Sequence, residues 1–174
     1  MKFLLITSLL FTIINSYSQC STYKVVEQSI TVIANKPEKI YQNEDLENGA
    51  IIYHLEVYQL FKNENPTELS YGLESFYTYF NTSREIVPRA FIFSFKDGTL
   101  LRIISTKEDP KTENFGDGYK RRRFSYSLTK ENLSELSTKE ILSITITDNR
   151  TNQSIQATPY GSFLKEQIGC LPRN

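Results

Sequence analysis

His54 is the only imidazole in the 174-residue chain, and so the only ring poised to exchange a proton at neutral pH. It sits two residues before Glu56 in an alternating run, Ala50–Phe61 (AIIYHLEVYQLF). On a strand the two would share a face, which makes Glu56 a candidate orienting partner. General-base work also needs a nucleophile within reach, and no neighbour in sequence supplies one. The expectation is therefore a partly exposed strand histidine, and no catalytic residue is assigned. The elbow G-x-S-x-G, the zinc helix H-E-x-x-H, the redox pair C-x-x-C and the phosphate-cradling P-loop are all absent from the sequence.

Paired carboxylates are the remaining route to hydrolysis, because glycoside cleavage needs only two Asp or Glu side chains brought together by the fold. With 20 acidic residues and no pattern among them, the sequence selects no pair. Tyr77 and Tyr79 would stack on a sugar if exposed, but they lie in a stretch, SFYTYF, that is aromatic on both faces and reads as core. Two cysteines and one histidine lack the close ligand spacing of a zinc site, so neither metal nor cofactor is expected.

The densest positive run is Lys120-Arg121-Arg122-Arg123, in a chain of zero net charge. It ends the segment Asp109–Arg123 (DPKTENFGDGYKRRR), 15 residues of little periodicity between two apolar runs. The oxygen-rich part (Asp109, Glu113, Asn114, Asp117) does not have the EF-hand spacing. If the following strand begins early, Arg121 and Arg123 share its wet face with Ser125 and Ser127. Such a row would meet an anionic envelope component or an acidic protein; the bland alternative is a charged guard on an exposed sheet edge. Zero net charge gives no reason to expect nucleic acid as a partner.

Cys20 and Cys170 stand near the two ends of the chain. In an exported protein such a pair reads as a disulfide. The alternative makes Cys20 the lipidated first residue of a lipoprotein, although Gln19 is not the small residue expected before it. Export is the reading because Lys2 precedes an uncharged 12-residue run, Phe3–Ile14, followed by Ser16 and Ser18 at the −3 and −1 positions of a cleavage site. The run falls short of the roughly 20 residues that span a bilayer. Residues 1–18 are thus expected to be a signal peptide, and 19–174 a single globular domain, periplasmic or secreted.

The elements that must position these groups follow from periodicity. Tyr23–Ile33 reads as one strand with an irregularity near Glu27, and 36–49 as a turn-rich polar segment with room for a short helix. Ala50–Phe61 is the clearest strand, broken at Asn63-Glu64-Asn65-Pro66, and Leu69–Phe80 the next. Asp97-Gly98 between AFIFSF and TLLRII marks a hairpin over 90–104. FSYSL is a strand, Thr129 caps a short helix (KENLSEL), and EILSITIT returns to strand. Thr158 and Pro159 start a C-terminal helix carrying Phe163, Leu164 and Ile168. The expected fold is α+β: a mainly antiparallel sheet of six or seven strands with the C-terminal helix packed on it. An all-β sandwich is the alternative. Function follows in two versions: a small exported, non-catalytic binding protein whose contact surface is the 109–123 loop, or a hydrolase using carboxylates.

Overall fold

The computed structural model describes residues 20–45, 49–80, 86–105, 111–148 and 150–172. The expected signal peptide and Asp109 lie outside them. The described residues form a mostly antiparallel, sheet-dominated structure with two helices. The strands are β1 (Thr22–Glu27), β2 (Ile30–Asn35), β3 (Glu38–Asp45), β4 (Gly49–Lys62), β5 (Asn65–Phe80), β6 (Ala90–Phe95), β7 (Leu100–Ile104), β8 (Glu113–Asn114), β9 (Lys120–Leu128), β10 (Ile141–Asp148) and β11 (Gln153–Ala157). The helices are α1 (Lys130–Thr138) and α2 (Phe163–Cys170). One sheet has seven strands in the order β1-β2-β4-β5-β9-β8, with β3 also on β4; the other has four, β11-β10-β6-β7.

The two sheets share one core. Tyr53, Leu55 and Val57 of β4, Leu73 and Tyr77 of β5, and Phe124 and Tyr126 of β9 form the inward rows of the large sheet. They belong to the same cluster as Phe91 and Phe93 of β6, Ile103 of β7, and Ile144 and Ile146 of β10. The rings of Phe91 and Tyr126 meet across the layers at 5.0 Å, and the Tyr126 hydroxyl donates to the Pro88 carbonyl. Tyr77 is fully buried and stacks between Tyr53 (5.0 Å) and Tyr79 (4.9 Å), so it works in the core. Leu136 of α1 with Phe163 and Leu164 of α2 add to the same cluster.

Several elements differ from the reading of the sequence. Tyr23–Ile33 is a hairpin, β1–β2, turning at Gln28-Ser29; that dipeptide contains neither Gly nor Asn, so the usual turn signal is missing. The polar 36–49 segment is strand β3, because the long edge of β4 offers unpaired backbone groups that β3 takes from Gly49 to Leu55. The described part of the 109–123 segment, 111–123, folds back as the short pairing β8–β9 around Phe115–Tyr119, where Gly116, Asp117 and Gly118 all adopt positive φ. Helix α2 begins at Phe163, four residues after Pro159. The intervening chain is committed elsewhere, since Gly161 accepts from the Ile141 amide at 2.8 Å. Thr129 caps α1 as expected, in a reciprocal box with Asn132. Among the described residues there are eleven strands, where six or seven were expected.

β2 and β3 lie end to end along one edge of β4, and the chain leaves that edge at Lys36-Pro37. The Val57 backbone opposite the gap would be orphaned. Asn35 Nδ2 donates to the Val57 carbonyl at 3.1 Å, and Gln167 Oε1 of α2 accepts from the Val57 amide at 2.9 Å. Helix α2 thus completes the sheet. Its last residue, Cys170, is bonded to Cys20, with Cα atoms 5.4 Å apart across 150 residues of sequence.

Candidate functional site on the outward face of the large sheet

Residues at outward positions of the seven-stranded sheet line a cavity of about 370 Å³. β1 contributes Tyr23, Val25 and Glu27; β2 contributes Ile30, Val32 and Ala34. From β4 come Glu56, Tyr58 and Leu60, and from β5 and β9 come Glu74, Arg123 and Ser125. The wall formed by β2, Val25 and Leu60 is apolar, and the other end is charged.

Glu56 and Glu74 stand directly opposite each other in the β4–β5 register. Glu56 is fully buried. Its Oε1 accepts from the Tyr23 hydroxyl at 2.7 Å, while its Oε2 has no donor. Burial pushes the Glu56 carboxyl up to about 7, and the neighbouring Glu74 carboxylate adds to the rise; the Tyr23 hydrogen bond and Arg123 work against it. Set across the ladder from each other, the two carboxyls are near enough for the Glu74 charge to act directly on Glu56. Glu74 is itself held by Ser125 Oγ at 3.5 Å and by Arg123, Nε to Oε1 3.7 Å. Burial and the two carboxylates push the Tyr23 hydroxyl well above its ordinary value, so it remains a donor.

Tyr58 closes the floor by lying across Gly72, its cross-strand partner. A Cβ on Gly72 would come within 2.3 Å of Tyr58 Cζ. Gly72→Ala therefore leaves the fold intact, because the ring's far end can swing, but lifts Tyr58 toward solvent. Its burial-raised hydroxyl should then be nitrated faster by tetranitromethane, read by peptide mass spectrometry; an unchanged rate would contradict this placement.

The basic run and His54, singled out in the sequence, each have a definite place. β9 begins at Lys120, so Arg121 and Arg123 share the outward face with Ser125, as the early start requires. The Arg121 guanidinium lies 3.3 Å from the Phe115 ring centroid and 5.5 Å from that of Phe76. The Arg123 guanidinium lies 5.1 Å from the centroid of the same Phe76 ring. Such cation–ring contacts fix the two side chains along the face. Arg122 points the opposite way, over Tyr79 at 5.7 Å, with Nε on Thr112 Oγ1 at 3.0 Å. Lys120 pairs with Asn114 in the β8–β9 ladder. His54 occupies the outward position next to Glu56, opposite Phe76. Its Nδ1 is buried without a partner, and burial together with Arg121 and Lys39 pushes its pKa down. His54 is thus a partly exposed strand histidine, as expected, and its candidate partner Glu56 turns to Tyr23 and Glu74 instead.

No protein-family model, curated protein or solved structure matches this chain. Among the described residues, no three His, Cys, Asp or Glu side chains gather as a metal site, and no helix is long and apolar enough to cross a membrane.

Proposed function

We propose that the chain is a small exported, non-catalytic binding protein whose contact surface is the outward face of the seven-stranded sheet. The Lys120–Arg123 run is its cationic margin, toward an anionic envelope component or an acidic protein. The observation that carries this reading is the placement of Arg121 and Arg123 on the same face as the cavity, held there by Phe76 and Phe115. Export is supported by the Cys20–Cys170 bridge, which suits an oxidising compartment; the lipid-anchor alternative needs the same Cys20 sulfur. In fold terms we class the chain as α+β, because α2 supplies Gln167 to the sheet and Cys170 to the bridge.

Net charge is zero, so retention on a polyanion must come from a local patch. The wild-type protein is expected to elute from a sulfated-polysaccharide column at higher salt than the double variant Arg121→Gln/Arg123→Gln. Co-elution of the two would refute the assigned surface. A second reading, a carboxylate-dependent hydrolase, is favoured by the Glu56–Glu74 pair, where one carboxyl kept protonated beside another is the requirement for acid–base work. It predicts turnover of a glycoside or peptide substrate that Glu56→Gln abolishes, and absence of turnover by the wild type across such a panel rejects it.

A further inference from the structure

The cavity between β1 and Glu74 carries an inference that goes beyond the anion-binding reading. Four of its lining residues bear ionisable charge near neutrality: Glu27, Glu56 and Glu74 against Arg123 alone. Glu56 is fully buried, and once ionised its Oε2 has no donor. A buried carboxyl oxygen in that state is costly unless a donor or a cation reaches it. Arg123 approaches Glu74 only at 3.7 Å, through a side chain that is 59% exposed. Two tyrosine rings, Tyr23 and Tyr58, flank the carboxyls, and ring faces attract ammonium groups. Beyond them, Val25, Ile30, Val32 and Leu60 give a short apolar wall. The volume, about 370 Å³, is at the small end for ligand pockets.

We propose that this cavity binds a small organic cation, its ammonium group seated at Glu56 and Glu74 and a short apolar chain lying along Val25, Ile30, Val32 and Leu60. Seating the cation favours the ionised form of Glu56, so its proton is released to solvent on binding. The titratable and charged groups facing the site are Tyr23 and Glu27 from β1, Glu56 and Tyr58 from β4 with His54 one outward position away, Glu74 from β5, and Arg123 from β9; β2 presents only Ile30, Val32 and Ala34. A cation of fixed charge therefore binds more tightly as pH rises and Glu56 loses its proton.

The test is calorimetric titration of the oxidised chain with pentyltrimethylammonium, whose charge does not change with pH. The affinity is expected to rise at least about fivefold between pH 5 and pH 8, with proton release at pH 6 seen as a dependence of the heat on buffer ionisation. Glu56→Gln should weaken binding about tenfold at pH 8 and flatten the pH dependence; Glu74→Gln, checked for folding by its thermal melt, should weaken it too. Arg123→Gln should tighten it by removing the competing charge. That same substitution weakens retention on a polyanion under the proposed function, so the two readings fail separately. No binding of pentyltrimethylammonium, tighter binding of hexanoate, or wild-type affinity in both glutamate variants would each overturn the proposal.

Discussion

Reducing the Cys20–Cys170 bridge lowers the melting temperature by roughly 10–20 °C, the expected result of opening a loop of 150 residues. In the loop-entropy model such a closure is worth about 5 kcal/mol, comparable to a large part of the net stability of a domain this size. The structure adds a local reason. β1 is exposed at all six positions, and its ladder runs only to β2. The bridge holds its start to α2, and α2 is in turn locked onto β4 through Gln167 and onto Asn35 through the Gln167 carbonyl at 3.0 Å. Without the bridge β1 frays first, taking Tyr23 off Glu56 and removing one wall of the cavity. Calorimetry with and without reductant, repeated on the Cys20→Ser/Cys170→Ser variant, measures the effect. A melting temperature within about 2 °C of the oxidised protein would contradict it.

Replacing Glu56 with Gln should stabilise the protein in alkaline solution and do little in acid. The folded carboxyl titrates near 7, above its ordinary 4.5, so the native state prefers the protonated form. No penalty exists below about pH 4.5; it grows as pH rises toward 7 and is fully present above. Gln is neutral throughout, keeps an oxygen for the Tyr23 hydroxyl, and presents an amide donor to Glu74. Because the cavity opens to solvent, only part of the full shift converts to stability, on the order of 2 kcal/mol at pH 8.5. Urea unfolding at pH 5 and pH 8.5 separates the outcomes, and a variant less stable than wild type at pH 8.5 would show that Glu56 is ionised in a satisfied setting.

Much of this architecture is legible in the residues. The alternation of Ile51, Tyr53, Leu55 and Val57 identifies the inward face of β4, and those residues are buried. Asp97-Gly98 marks its hairpin and Thr129 its helix cap. The Asp117-Gly118 step carried the same turn signal, but the polar residues around it hid the two-residue partner strand β8. β3 and β11 escaped because their pairing is dictated by the free edges of β4 and β10, not by a pattern of their own.

The carboxyl pair was illegible for a sharper reason. Glu56 faces Glu74 only because the β4–β5 register shifts between Phe61 and Lys62. Extending the Lys62–Asn65 pairing without that irregularity would set Glu56 opposite Tyr71. A three-residue slip near a polar turn decides whether the outward face holds a charged site, and no residue type announces it. Arg121 and Arg123 show the converse: once the start of β9 is known, strand alternation alone places them on the cavity's face.

The most direct test of a built site on this face is the pH titration of the glutamate δ-carbons by carbon-13 NMR, with Glu56→Gln and Glu74→Gln used for assignment. Glu56 is expected to titrate near 7, with a curve that responds to Glu74→Gln, because the neighbouring carboxylate contributes to the rise. A Glu56 signal titrating near 4.5, indifferent to Glu74, would mean an ordinary solvated surface with no built site.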